Sequence, residues 1–406
     1  MKGSAARKRP RVAILVDTAT GWGRRLVHGA VQYGQVHGPW QFWIEPHGRQ
    51  EHLRPPPGWT GEGMIARIST PLMARELRAR GVPVVNISGV RLRDQPFPVV
   101  TTDQESVGRL AAAHFLDRGF RHFGYCGILK FSYVASQFHG FERAIGAAGF
   151  ACDLYDKRGS GTDWRSKQAD LIRWVKHLSK PVAVLAWAGK GRAVLEACSA
   201  SGLRVPEDVA VLDGDEDELL NLTTTPPMSG INVPSELIGR EAAAMLDRLM
   251  TSRKRNEPPV LLKPTHVVVR QSTDTLAIDD PDLATAIRFV REHATEPIGV
   301  EDILREVPIA RRSLERRFEQ VLGRTPAAEI RRVRLETAQR LLIDTDMPVP
   351  SVAESSGFGS PEYLSYAFKR ALGQTPLKYR SLMRARELPA ADVDAVTLGT
   401  SVPVSR

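Results

Sequence analysis

The last quarter of the chain contains the stretch VPSVAESSGFGSPEYLSYAFKRALGQTPLKYR, which spans residues 349–380. A first short helix is expected to end at Gly357, because glycine accepts the backbone conformations that stop a helix. A second helix is predicted over residues 360–371, with Leu364 and Phe368 four positions apart on a buried face. Two short helices joined by a sharp turn predict a helix-turn-helix motif.

An earlier copy of this pattern lies upstream. The sequence LGRTP at residues 322–326 recurs as LGQTP at residues 372–376, fifty positions later. The first motif is therefore predicted over residues 300–321 and the second over residues 350–371. A helix over residues 327–343 would hold the two motifs apart, and helices that enter successive major grooves must lie about 34 Å apart.

Composition limits the class of protein. The 406 residues exceed one ordinary core, so two or three domains are expected, and 42% hydrophobic with 25% charged residues is typical of a soluble globular protein. Lys and Arg exceed Asp and Glu by 56 − 46 = 10, which favours a polyanionic partner. Apolar runs are too short for a membrane span, so a cytosolic protein is expected. The widely spaced Cys126, Cys152 and Cys198 predict neither a disulfide framework nor a metal site.

Strand-length apolar runs alternate with helical patterns from Arg11 to about residue 270. This order predicts parallel doubly wound sheets, arranged in two lobes of which the second starts near Phe120. Ligands of such sheets bind where strands end, so the segments after the strands are candidate binding loops. Predicted strands cover residues 11–17, 40–46, 63–68, 82–88, 98–103, 122–127, 181–187 and 208–215.

Four sequence stretches in the N-terminal part of the chain are similar to those of a known domain family. They are ESVGRLAAAHFLDRGFRHFGYCG (105–127), FHGFERAIGAAGF (138–150), SGLRVPEDVAVLDGDE (201–216) and INVPSELIGREAAAMLDRLM (231–250). In this order they resemble the LacI-type effector domain, a two-lobed α/β fold related to periplasmic sugar-binding proteins. The resemblance implies that residues 11–270 bind a small effector between two lobes and pair into a dimer.

The C-terminal part resembles the AraC/XylS-type DNA-binding domain over residues 282–386. The resemblance rests on a Gly-Phe turn, on FKR at residues 368–370 and on GQTPLKYR at residues 373–380. Pro308 and Ala310 depart from it, because a glycine and a capping serine are usual there. An AraC-type domain behind a LacI-type domain resembles the xylose-operon regulator group of transcription activators. A polar linker is predicted over residues 271–281, and disordered tails over residues 1–10 and 387–406.

The resemblance implies a set of DNA contacts. The family's base-contacting positions correspond to Arg312, Glu315, Arg316, Pro361, Glu362, Tyr363 and Tyr366, and Arg311, Ser360 and Lys369 complete the predicted DNA-binding set. Arginine can donate two hydrogen bonds to guanine, whereas proline carries no donor. The first motif is therefore predicted to read more bases, and the second mainly to position the protein. A solvated or phosphate-facing role stays open for Arg311 and Arg317.

Candidate effector ligands follow the predicted strands. They are Asp17, Trp22, Arg24, Gln137, Trp187 and Asp215. Trp22 could stack on a sugar face and Asp215 could accept bonds from two hydroxyls, although core packing is an alternative for either tryptophan. LacI-type sites usually have an arginine and an aspartate where this chain has Gln137 and Ala188, which counts against a pentose site of that type.

These patterns together predict a sequence-specific transcription regulator of carbohydrate-utilisation genes, with activation favoured, and not an enzyme. Its expected partners are double-stranded operator DNA, a sugar-like effector, RNA polymerase if it activates, and a second copy of the chain. No cofactor, metal ion or membrane is expected. Two alternatives stay open. One is a constitutive DNA-binding protein whose sensor domain only dimerises; the other is a sugar-acting α/β enzyme, although no nucleophile, metal cluster or phosphate loop is evident.

Overall fold

The structure of the protein is a computed structural model that describes residues 9–45, 53–93, 97–156, 164–187, 189–252, 257–278 and 280–383. The predicted tails lie outside these ranges except for residues 9 and 10, and Ala188 lies outside them as well. None of the helices within the described ranges combines the length and apolar character that a bilayer crossing requires.

Strands and helices alternate over residues 11–268, and every regular element described over residues 281–383 is a helix. The strands are β1 (Arg11–Leu15), β2 (Gln41–Ile44), β3 (Gly63–Ala66), β4 (Val84–Asn86), β5 (Val100–Thr102), β6 (His122–Cys126), β7 (Cys152–Tyr155), β8 (Val182–Ala186), β9 (Val209–Asp213), β10 (Ser229–Asn232), β11 (Val260–Leu262) and β12 (His266–Val268). The helices are α1 (Gly21–His37), α2 (Pro71–Ala79), α3 (Gln104–Leu116), α4 (Ser132–Ala147), α5 (Trp164–His177), α6 (Gly191–Ala200), α7 (Glu218–Leu222), α8 (Ser235–Thr251), α9 (Pro281–His293), α10 (Val300–Glu306), α11 (Arg311–Leu322), α12 (Pro326–Asp344), α13 (Val349–Ser355), α14 (Pro361–Leu372) and α15 (Pro376–Met383).

Two sheets define the two predicted lobes. The first has the order β2-β1-β3-β4 and is parallel throughout. The second has the order β12-β10-β9-β8-β6-β7 and is parallel except for β12, which runs antiparallel to β10. Central strands such as β8 are buried along their whole length, because helices cover both faces of a parallel sheet. The predicted class of two-lobed α/β domain is confirmed.

The second lobe begins before the predicted Phe120. Helix α3 packs directly on α4, since a Cβ at Gly108 would lie only 2.1 Å from the carbonyl oxygen of Gln137. Four strands, β7, β10, β11 and β12, lie outside the predicted ranges. The residues of β7 and β10, CDLY and SGIN, contain no continuous apolar run. The 3-10 helix Gln271–Thr273, within the predicted linker, packs on the second lobe, where the Ser272 hydroxyl donates to Val211 O at 2.6 Å.

The C-terminal domain contains the two predicted helix-turn-helix motifs, each with its own core. We call α10 and α11 the first motif, and α13 and α14 the second motif. Phe318 and Phe368 are fully buried at equivalent positions in the two cores. Gly323 and Gly373 end α11 and α14 with φ of +66° and +71°, left-handed values that glycine adopts without strain. Helix α12 packs its first half on the first motif and its second half on the second motif.

Candidate functional site

A cleft of about 370 Å³ lies between the two lobes, where strands of both sheets reach their carboxyl ends. Five of the six predicted effector ligands line it: Asp17, Trp22, Gln137, Trp187 and Asp215. Arg24 does not line it, because this side chain is exposed and its Nη1 donates to Thr18 O at 2.9 Å. The cleft therefore brings together residues that are up to about two hundred positions apart in the chain.

The first lobe contributes a charged wall. Asp17 follows β1, is 3% exposed and forms an ion pair with Arg67, which follows β3. The guanidinium of Arg67 lies 6.0 Å from the centre of the Trp22 ring, within the range of a cation–π contact. The carboxylate and the guanidinium therefore neutralise each other beside an aromatic face, and both remain able to bond to hydroxyl groups.

The second lobe contributes an aromatic wall. Phe131, Tyr133 and Trp187 form a cluster whose ring centres lie 5.6 to 6.0 Å apart. Beside it Gln137, 2% exposed, accepts a hydrogen bond from the Tyr125 hydroxyl at 2.9 Å and donates to Gln104 Oε1 at 3.3 Å. Its amide is therefore held in one orientation at the floor of the cleft.

Two aspartates lie at the carboxyl end of β9: Asp213 is its last residue and Asp215 follows it. Burial, reinforced by the charge of Asp215, raises the pKa of Asp213 to about 8, although the backbone N–H of Gly189 partly offsets this. The raised pKa favours the uncharged acid form of Asp213 near neutral pH. Asp215 lines the cleft itself and supplies the second acidic side chain there.

Several lining residues were missed by the sequence analysis. Gln104 directly follows the predicted strand over residues 98–103, so the rule that selected Asp17 would have found it. Arg67 falls inside the predicted strand over residues 63–68, whereas β3 ends at Ala66. Phe131 and Tyr133 lie in a segment that was recognised as a binding loop, but nothing in their sequence distinguished lining rings from core rings. No cluster of three His, Cys, Asp or Glu that could hold a metal ion occurs in the described part of the chain.

The recognition helix of the first motif, α11, presents arginines to solvent. Arg312 and Arg316 are exposed. Arg311 donates hydrogen bonds to Glu301 of α10 at 2.6 Å and to Glu315 of α11 at 3.1 Å. Arg317 points away from this face and pairs with Asp280 at 2.8 Å. As predicted from Ala310, the helix lacks a side-chain cap.

The second motif presents a different surface. Ser360 is engaged as the N-cap of α14, where its hydroxyl accepts a hydrogen bond from Tyr363 N at 3.2 Å. Pro361 occupies the first turn, where a missing N–H costs nothing. The exposed face carries Glu362, Tyr363, Tyr366 and Lys369. Tyr366 is the more exposed of the two tyrosines, at 60%.

The fold and these two surfaces define the class of protein. Residues 112–273 match the periplasmic binding protein-like domain family, and residues 303–381 match the helix-turn-helix domain family. The chain is a DNA-binding transcription regulator with an N-terminal periplasmic-binding-protein-like domain and a C-terminal helix-turn-helix domain.

Whole-chain relatives narrow this class. The chain is 27% identical to the xylose operon regulatory protein of Escherichia coli strain K12, over 92% of this chain and 98% of that protein. A solved structure of a xylose-binding transcription activator matches with 26% identity and a TM-score of 0.59, over 92% of this chain and 98% of that chain. The cellobiose complex of another transcriptional regulator shares the fold of the N-terminal part, with 24% identity and a TM-score of 0.52 over 66% of this chain and 86% of that chain. The chain therefore resembles the xylose operon regulators along nearly its whole length.

Proposed function

We propose that the chain binds operator DNA and that an uncharged sugar in the cleft changes this binding. The proposal rests on the two sides of the cleft. The first lobe contributes the ion pair of Asp17 and Arg67, and the second lobe contributes the three packed rings of the aromatic wall. Rings cover the apolar face of a sugar, while carboxylate, amide and hydroxyl groups bond to its hydroxyls. The relatives, named as a xylose operon regulator and a xylose-binding activator, support a carbohydrate effector.

The charge of the cleft favours neutral over acidic sugars. Asp17 and Asp215 are its two carboxylates, and Arg67 is the one cationic side chain among its described lining residues. Because Arg67 is already paired with Asp17, a sugar carboxylate would meet net negative charge. We therefore expect the effector to be a neutral pentose, hexose or short oligosaccharide.

Thermal unfolding of the full chain with a panel of sugars tests this function. A neutral sugar at about 100 times its Kd should stabilise the protein by about 2.7 kcal/mol, and uronic acids should give no shift. Trp187→Leu should reduce the shift, whereas the same change at Trp174, which packs against Tyr155 outside the cleft, should leave the shift in place. If no pentose, hexose or disaccharide stabilises the protein, the domain serves as a dimerisation scaffold instead.

Base recognition is assigned to the first motif. We expect Arg316→Ala to cost about 1–3 kcal/mol of preference for specific over scrambled DNA, because an exposed arginine can bond to guanine O6 and N7. Arg317→Ala is the matched control on the same helix and should keep the wild-type ratio, since Arg317 lies outside the predicted DNA-binding set and pairs with Asp280. Dissociation constants on a selected operator and on a scrambled duplex measure both variants. A wild-type ratio for Arg316→Ala would refute the assignment.

Pairing of two copies completes the proposal. A dimer would place four motifs on one operator, and an activator would also contact RNA polymerase. Light scattering of the free protein is expected to give a mass near twice 44.8 kDa. A mass of one chain at micromolar concentration would leave two motifs per complex and would contradict this arrangement.

A further inference from the structure

Helix α3 connects the cleft to the C-terminal domain. Its first residue, Gln104, lines the cleft and bonds to Gln137. Its 13 residues extend roughly 20 Å, and Asp117 follows as the C-cap. One helix therefore reaches from the cleft to the surface on which the C-terminal domain rests.

A polar cluster at the end of α3 fastens the two domains together. The carboxylate of Asp117 accepts a hydrogen bond from Arg324 at 2.7 Å and lies 3.3 Å from Arg332. The backbone carbonyl of Asp117 accepts a bond from Arg291 at 2.6 Å. Arg121 donates to Val321 O, in the last turn of α11, at 3.0 Å. We call Asp117, Arg121, Arg291, Arg324, Glu329 and Arg332 the interdomain cluster.

Glu329 gives the cluster one preferred geometry. Its side chain is fully buried and accepts bonds from Arg324 at 2.5 Å and from Arg332 at 2.7 Å. A buried charge is stabilised only while its partners keep good geometry, so Glu329 fixes the positions from which Arg324 and Arg332 meet the carboxylate of Asp117. The arginines also meet the C-terminal end of α3, where the helix dipole favours cations.

The cleft end of α3 is held as firmly as its far end. A Cβ at Gly140 of α4 would lie 2.2 Å from Glu105 O, and one at Gly108 of α3 would lie 2.1 Å from Gln137 O. The two backbones are therefore in direct contact beside Gln137. Helices packed this closely shift together, so a displacement at the cleft moves α3 as a whole.

We propose that the second lobe and the first motif move as one body, with the interdomain cluster carrying the state of the cleft to α11. This inference rests on the proposed function, because it assigns an effector to the cleft. A ligand that draws the lobes together would reorient the first motif relative to the first lobe without changing the motif itself.

Amide hydrogen exchange of the full chain, measured without a ligand, tests whether α3 and the interdomain cluster couple the cleft to α11. Asp117→Ala should speed exchange of amides in residues 321–332 by about tenfold or more, because the cluster loses its anchor on α3. Asp208→Ala, which removes an ion pair with Arg204 elsewhere in the same lobe, should leave those amides unchanged. Gln104→Ala, at the cleft end, should also alter exchange in residues 321–332. Its effect should vanish when Asp117→Ala is already present.

Two results would overturn the proposal. The first is that the amides of residues 321–332 exchange in Asp117→Ala at the wild-type rate. The second is that Gln104→Ala still changes their exchange rate when it is combined with Asp117→Ala. Unchanged exchange in β8 verifies that each variant is folded, and Asp117→Asn replaces Asp117→Ala if the alanine variant does not fold. The sugar panel is independent of these measurements, so a failed panel and a failed route are told apart.

Discussion

Glu329→Ala is expected to lower the free energy of unfolding by about 3–5 kcal/mol, because two partly buried cations lose the buried carboxylate that bonds to both, and only the Asp117 carboxylate remains between them. Glu329 is fully buried, whereas Arg324 and Arg332 are 20% and 23% exposed. Replacing the whole network by apolar groups could be neutral, but removing one partner is costly. Urea unfolding followed by circular dichroism measures the change.

Glu336→Ala is the matched control, because Glu336 pairs with the same Arg332 at 2.5 Å but is 59% exposed. An exposed pair is worth at most about 1 kcal/mol. Similar losses in the two variants would show that burial does not govern this network.

Acid should weaken the same network. Burial would raise the pKa of Glu329, but bonds and charges from Arg332 and Arg324 outweigh it and lower that pKa to about 2. A carboxylate with a lowered pKa in the folded chain stabilises it above the ordinary value of 4.5, and this contribution is lost as the pH falls toward 2. The difference between wild type and Glu329→Ala should therefore shrink below pH 4.5.

Gly239→Ala is expected to destabilise the first lobe by about 3 kcal/mol, at the upper end of overpacking costs. A Cβ at Gly239 of α8 would lie 1.9 Å from Leu26 O of α1. The obstructing atom belongs to the backbone, so relief requires the two helices to separate. Since Leu26 and Ile238 are both fully buried at this crossing, separation would open the core.

Gly146→Ala is the control for Gly239→Ala. Gly146 lies in α4 with no atom within 4 Å of an added Cβ, and helix propensity favours alanine there by about 0.5–1 kcal/mol. Thermal and urea unfolding compare the two variants. A neutral Gly239→Ala would mean that the helices do not cross as closely as the structure shows.

The C-terminal domain was predictable because its information is local. The repeated LG-x-TP sequence corresponds to Gly323 and Gly373 as left-handed helix ends, followed by Thr325 and Thr375 as caps. Helix period and cap chemistry act within a few residues, so they can be recognised in a linear sequence. The same reasoning correctly identified Ala310 as a start without a capping oxygen.

The cleft was predictable only in part. Strand ends identified Asp17, Trp22, Gln137, Trp187 and Asp215, because parallel sheets place such ends together. Arg24 lies in the first turn of α1 with Trp22, but it is on the side of the helix that faces solvent. Which side chains in the first turn of a helix face the cleft depends on how the other lobe packs, and the sequence near that turn does not specify this packing.

The stretch at residues 349–380 determined by itself that this protein has a helix-turn-helix and how its helices begin and end, because those choices depend on near neighbours. Only the tertiary structure decided that Arg311 and Arg317 are engaged with acidic partners while Arg312 and Arg316 stay exposed. It also decided that Asp117 bonds to Arg324, 207 positions away in the turn that follows α11. Ion pairs between distant segments depend on how whole domains pack, and no periodicity in the sequence records that packing.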